Sequence, residues 1–342
     1  MGRQEGVLRE GWTASLDDYA IVCDWALDGN VLVVGDVMGN IRAYHGKSGR
    51  TLWQQKNIHE GGLLAMSVHP DGTVFATAGQ DGRVIIWNVQ NGEIAARKEI
   101  GSDWVEHLAW SSEGEWLAAA CSRHVFTLDR DCHEKWQSEQ HPSTVSALAW
   151  SDNNELATAS YGRVAFFDMT TEKLREKLEW KGSLVSMVLS PDRDIVACGS
   201  QDNSVHFWRR STGHDSMMSG YPSKPIYLAF DSTGTVLATS GSDIVTVWSF
   251  QDAGPEGTRP GELELHGKTI SSLAFAPKGM RLASGAKDGS VAIWALENDG
   301  QGSPVGVALI EDAVSNLVWR PDGRGLAATS ASGGITAWRV NS

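Results

Sequence analysis

Residues 59–87 read HEGGLLAMSVHPDGTVFATAGQDGRVIIW, and this stretch decides the fold. It divides into three short runs, each apolar at alternate positions, which is the period of a pleated strand. Pro70-Asp71-Gly72 and Asp81-Gly82 separate the runs. Both are tight-turn sequences, because Pro presets φ and Gly accepts φ > 0. A Gly-bounded segment after Trp87, residues 92–99, predicts a fourth strand. Residues 266–294 repeat the pattern, from His266-Gly267 through Leu282-Ala283-Ser284-Gly285 to Asp288-Gly289 and Trp294.

Aligned on the residue that ends the third strand, the chain yields Tyr44, Trp87, Leu128, Phe167, Trp208, Trp248, Trp294 and Trp338. The spacings are 43, 41, 39, 41, 40, 46 and 44 residues. That period fits four-stranded propeller blades. The ends of the first strands are as regular: Trp25, Val68, Trp110, Trp150, Leu189, Phe230, Phe275 and Trp319. Bulky apolar groups at two fixed places per unit let neighbouring sheets pack face to face. Burying one aromatic removes ~150–250 Å² from water, worth ~4–6 kcal/mol gross as an upper bound. The expected fold is therefore an all-β, eight-bladed propeller of four-stranded antiparallel blades, forming one domain over residues 1–342. The repeats span 17–58, 59–100, 101–140, 141–179, 180–220, 221–265, 266–309 and 310–342. The last repeat has no outer strand of its own, and residues 7–15, with apolar Val7, Leu8 and Trp12, are expected to supply it and remove an open edge. Gly/Pro-rich residues 251–261 and 297–304 read as loops after the third strands of their units.

Composition narrows the function. A formal charge of −13 disfavours nucleic acid, whose phosphates need a basic face, and leaves basic proteins or peptides open as partners. Four scattered cysteines form no disulfide framework. The N-terminus has no apolar leader, and Gly2 lacks the Ser or Thr that myristoylation requires at residue 6. No run of 18 apolar residues exists to span a membrane. The expectation is a cytoplasmic protein.

The units resemble the WD-repeat family of β-propellers across essentially the whole chain. The resemblance rests on His266-Gly267, on Leu282-Ala283-Ser284-Gly285, and on Asp-Gly pairs shortly before a strand-ending Trp. It implies structural tetrads at His59–Thr77–Asp81–Trp87 and His266–Ser284–Asp288–Trp294, with the Asp orienting the imidazole, the hydroxyl bridging and the indole donating. Elsewhere the His position holds Leu16, Gly101, His141, Trp180, Tyr221 and Ile310, Cys198 replaces a hydroxyl, and Met38 an Asp. Residues 43–53, AYHGKSGRTLW, are similar to the repeat of quinoprotein-type propellers, which dock a Trp from the outer strand; Trp12 and Trp136 lie in comparable strands.

Chemistry-bearing constellations are scarce. Asp24, Glu106, His107, Ser146, Ser186, Ser271, Ser315 and Asn316 are the candidate lining of a central channel, without metal-ligand spacing. Glu106 and His107 are adjacent on a strand and point to opposite faces. Cys121, at one end of the third strand, lies ~20 Å from Cys132 past the other, too far apart for one ion. No catalytic group, cofactor or metal is expected. Partner binding is expected on the face formed by the loops into the first strands and between second and third strands. Its candidate anchors are Trp104, Tyr161, Trp180 and Tyr221, because interface hot spots favour Trp and Tyr. Acidic candidates are Asp17, Asp18, Glu60 and Asp103, with Asp36, Glu311 and Asp312 beside them; Lys181, Lys224, Lys268 and Lys287 fall elsewhere. The reading is a non-catalytic scaffold for a protein or peptide, monomeric or part of a hetero-complex. The competing class is a propeller enzyme or quinone-binding protein using the channel.

Overall fold

The computed structural model describes residues 5–252 and 254–341; Gly2, weighed above for myristoylation, lies outside them. The described chain is strand throughout, apart from turns and one 3-10 segment at Leu27–Gly29. The fold is an eight-bladed β-propeller with antiparallel blades. The blades group into two compact units, residues 16–185 and residues 1–15 with 186–342.

Blade 2 shows how sequence becomes structure. Its strands are Leu63–Val68, Val74–Gly79, Arg83–Asn88 and the outer Ile94–Glu99. The second strand is buried along its whole length, since other blades cover both faces. The outer strand is mostly exposed, which is why it reads Ile-Ala-Ala-Arg-Lys-Glu. Blade 4 departs from the pattern: its second and third strands form one continuous stretch, Glu155–Asp168, that turns at Gly162 with φ +81°, a conformation that favours glycine.

Bulky residues at the first-strand ends do more than fill space. The Trp110 indole donates to the Ser67 carbonyl of blade 2 at 3.2 Å, Trp150 to Ala109 of blade 3 at 2.8 Å, and Trp319 to Ala274 of blade 7 at 2.8 Å. Each joins one blade to the blade before it at the same register. A serine clasp runs the other way. Ser146 donates to the Leu184 carbonyl at 2.7 Å, Ser186 to Pro225 at 3.1 Å, and Ser271 to Val314 at 2.6 Å. Each such bond contributes ~0.5–1.5 kcal/mol net. These are three of the four serines in the expected channel lining, and their hydroxyls are committed to neighbouring blades; the fourth, Ser315, meets Thr329 Oγ1 of its own blade at 2.8 Å.

The N-terminal segment Leu8–Ser15 pairs antiparallel with Gly334–Val340 and completes the eighth blade, from Leu8 opposite Val340 to Ser15 opposite Gly334. The chain reaches one blade further than expected. Glu5 and Gly6 pair with Val307 and Gly306, adding a fifth strand to blade 7. The expected loop 297–304 is shorter, because the outer strand of blade 7 begins at Gly302.

The docked outer-strand Trp is seen in blades 1 and 3. Trp53 donates to the Val89 carbonyl at 2.8 Å and stacks at 6.0 Å on Phe75 of the next blade. A Cβ on Gly92 would lie 2.6 Å from that indole, so glycine is required there. Trp136 packs at 5.0 Å on Phe167 of blade 4.

Candidate functional site

The His-bearing blades hold buried hydrogen-bond chains. In blade 2, His59 Nδ1 lies 2.9 Å from Asp81 Oδ1 and Nε2 lies 2.9 Å from Thr77 Oγ1, while Trp87 donates to Thr77 at 2.8 Å. The network assigns the tautomer: Nδ1–H donates to Asp81, and the Thr77 hydroxyl donates to Nε2. Burial holds His59 below the usual histidine range, so the ring stays neutral despite Asp81. Blade 7 differs from the expectation. His266 Nδ1 contacts Ser290 Oγ at 2.5 Å, and Ser290 in turn donates to Asp288. The carboxylate thus orients the imidazole through a serine, with Ser284 bridging His266 at 2.7 Å to Trp294 at 2.8 Å.

Two substituted blades rebuild part of this chain. In blade 4, His141 Nε2 meets Thr158 Oγ1 at 3.0 Å, and Nδ1 lies 3.2 Å from the Arg123 carbonyl. Burial pushes His141 down to about 4. In blade 6, the Trp248 indole donates to the Tyr221 hydroxyl at 2.7 Å, and that oxygen lies 2.8 Å from Thr239 Oγ1. Burial pushes the Tyr221 phenol up to about 12. Tyr221, a candidate partner anchor from sequence, therefore turns its polar end into its own blade. Trp180 is corrected as well: it is half-buried inside the outer strand Lys173–Ser183 rather than in a loop.

The remaining anchors stand in water, both in the unit of residues 16–185. Trp104 is 52% exposed and Tyr161 55%. The backbone under them is fixed. The Trp104 carbonyl accepts from Ser122 N at 3.2 Å, the Asp103 carbonyl from Cys121 Sγ at 3.3 Å, and Tyr161 N donates to Ser143 Oγ at 2.8 Å. Trp104 separates two depressions. One, of about 260 Å³, is lined by Asp103, Trp104, Glu106, Ser122 and Thr144. The other, of about 480 Å³, is lined by Glu60, Gly61, Gln80, Asp81, Arg83, Glu99 and Trp104. Glu60, Gly61 and Arg83 continue into a third depression of about 520 Å³ edged by Met38, which is 58% exposed. Met38 is the residue that sequence reasoning missed. Its place in a turn between second and third strands put it on the expected face, but it was read only as a lost tetrad Asp.

The acidic candidates separate in the same way. Glu60 and Asp103 border the depressions. Asp17 is engaged with Arg42 at 2.8 Å. The Asp18 carboxylate accepts from Tyr19 N at 2.7 Å. Asp36 is fully buried and organises its own turn, accepting from Met38 N at 3.1 Å and Asn40 N at 3.0 Å, so its charge is not on the face. Among the channel candidates, burial raises Asp24 to about 6 and lowers His107. Cys121 ends the second strand of blade 3 rather than bordering the third. Cys23, Cys121, Cys132 and Cys198 are all buried free thiols. Asp129, Asp131 and His133 bring ligating atoms within 4.8 Å of one another, but the Asp129 carboxylate already accepts the backbone N–H of Asp131 and His133 and pairs with Lys135 at 3.3 Å. No helix among the described residues is long and apolar enough to cross a membrane.

Comparison with known proteins follows this division. Residues 37–154 match the model described as "Outer membrane protein assembly factor BamB", and residues 174–209 and 257–295 match "WD domain, G-beta repeat". The chain is 26% identical over 251 residues to an Arabidopsis thaliana protein named "Cell division cycle 20.1, cofactor of APC complex", covering 66% of this chain and 53% of that protein. It is 25% identical over 247 residues to "Actin-interacting protein 1" of Caenorhabditis elegans, covering 69% and 39%. It thus spans about half the length of such relatives or less. The crystal structure of the computationally designed Ika8 protein superposes with a TM-score of 0.82 at 20% identity, covering 99% of this chain and all of that one, a likeness in fold. The chain is therefore similar to WD repeats in two stretches and to the BamB model in a third, on one propeller fold.

Proposed function

We propose that the protein is a non-catalytic interaction scaffold that binds a protein or peptide partner on the Met38–Glu60–Trp104–Tyr161 face of blades 1 to 4. The observation that carries this is the pair of exposed aromatics on pinned backbone, with depressions meeting at Trp104. Leaving a tryptophan and a tyrosine more than half in water gives up burial, while a rigid aromatic anchor is what an interface hot spot uses. The names of the relatives, a cofactor of a complex and an actin-interacting protein, support the same class of work. The acidic balance favours a protein over nucleic acid, and the reading places the chain in the cytoplasm as a monomer or a subunit of a hetero-complex.

The test compares Trp104→Ala and Tyr161→Ala with wild type for proteins co-purified from the native host. Each variant should lose the same partners while keeping the wild-type melting curve. Identical partner sets from folded variants contradict the assignment.

A further inference from the structure

Resting on that reading of the face, we propose that the depressions beside Trp104 take an arginine side chain of a basic partner peptide, its guanidinium laid on the indole and paired with Asp103 and Glu106. Besides Asp81, four carboxylates line the depressions that meet at Trp104: Asp103 and Glu106 in one, Glu60 and Glu99 in the other. None of the four enters an ion pair among the described residues. The one cation in the lining, Arg83, is committed to Asp81, with Nε at 2.8 Å and Nη2 at 2.7 Å from Oδ2. The site therefore presents an excess of negative charge around an exposed π-face.

That combination selects its ligand chemically. The face of an indole attracts a cation held within ~6 Å of the ring centre, by ~0.5–2 kcal/mol. Arginine satisfies both parts at once, because its plane stacks on the ring while its fork of N–H donors meets carboxylates. A lysine ammonium can reach the charge or the ring but offers no planar stack. Phosphate-bearing ligands are repelled by the same four acids. The Trp104 loop is held by Ser122 N, so little ordering is required on binding.

The experiment uses the full chain labelled with 5-fluorotryptophan, the Trp104 resonance being identified by its loss in Trp104→Phe. The probe is the peptide acetyl-Gly-Arg-Gly-Arg-Gly-amide, titrated to millimolar concentration beside its citrulline and lysine versions. The arginine peptide should move the Trp104 resonance saturably, and the citrulline peptide should leave it in place. The lysine peptide should bind about tenfold more weakly, and so should the arginine peptide to Asp103→Asn/Glu106→Gln, with the other tryptophan resonances unchanged. A Trp104 resonance that ignores the arginine peptide, or answers equally to citrulline or lysine, overturns the arginine assignment. That failure leaves the face intact if Trp104→Ala and Tyr161→Ala still lose co-purified proteins; the face itself falls only if they lose none.

Discussion

Blades 3 and 6 each carry an aromatic residue in the loop leading to the first strand, and the two meet opposite fates. Tyr221 of blade 6 points its hydroxyl inward, where Trp248 and Thr239 bond to it. Trp104 of blade 3 stays half in water. The difference lies in what each blade keeps inside. Blade 6 has a buried hydroxyl and an indole N–H, and a tyrosine satisfies both. Blade 3 has Ala119 and Leu128 at the equivalent places, both fully buried and neither needing a partner. At its His position stands Gly101, where a Cβ would already sit 2.8 Å from Cys121 Sγ, so no ring enters. The polar inventory of a blade thus decides whether a loop aromatic packs or stays in water.

The comparison can be broken most forcefully at Trp248. Trp248→Ala removes a large ring and the donor to Tyr221, and should cost ~3–5 kcal/mol of stability, read by denaturant unfolding. A loss below 1 kcal/mol would mean that the chain in blade 6 contributes little. Tyr221→Phe is gentler: it removes the acceptor of Trp248 Nε1–H, while Thr239 Oγ1 keeps its bond to the Thr246 carbonyl at 3.1 Å, and should cost ~1–3 kcal/mol. It also has a pH signature. The folded phenol lies near 12 against an ordinary 10.0, so the protonated form is favoured and its contribution is complete below pH 10 and lost as pH rises toward 12. In Tyr221→Phe the alkaline part of the melting profile should flatten.

Acid acts on blade 4 by the opposite sign. His141 titrates near 4 when folded against 6.5 when unfolded, so the unfolded chain binds the extra proton between these values. Its contribution is complete above pH 6.5 and is lost as pH falls toward 4. His141→Gln should reduce the slope of melting temperature against pH in that window; an unchanged slope removes His141 from the account. The smallest effect on stability belongs to Trp104. Trp104→Ala should alter unfolding by no more than ~0.5 kcal/mol, because an exposed side chain supports no blade. A loss of 2 kcal/mol would show it to be a packing residue after all, like Tyr221.

Much of this was legible in the chain. The spacing of Trp87, Trp248, Trp294 and Trp338 placed the third strands, and Val7, Leu8 and Trp12 marked the strand that completes blade 8. The two His tetrads were implied by the resemblance to WD repeats, on His59, Thr77, Asp81 and Trp87 and on His266, Ser284, Asp288 and Trp294. The relay through Ser290 could not, since a serine beside Asp288 has no distinct signature until the side chains are oriented. Nor could the fates of Trp104 and Tyr221 be separated, because both follow a Gly-bounded loop and burial depends on residues 18 to 27 positions away. The serine clasps were invisible for a related reason: Ser146 and Ser271 bond to carbonyls of the next blade, and no periodicity reports which hydroxyl faces a neighbour.

The central claim is that a partner lands on the Trp104–Tyr161 face and not elsewhere on the blades. It is tested most directly by placing a photo-crosslinking p-benzoylphenylalanine at Tyr161 and, in a separate variant, at Leu309, which is 61% exposed on an outer strand. Irradiation in the native host should give a discrete crosslinked adduct from position 161 and none from 309. Adducts from 309 alone, or the same adducts from both, would contradict the account.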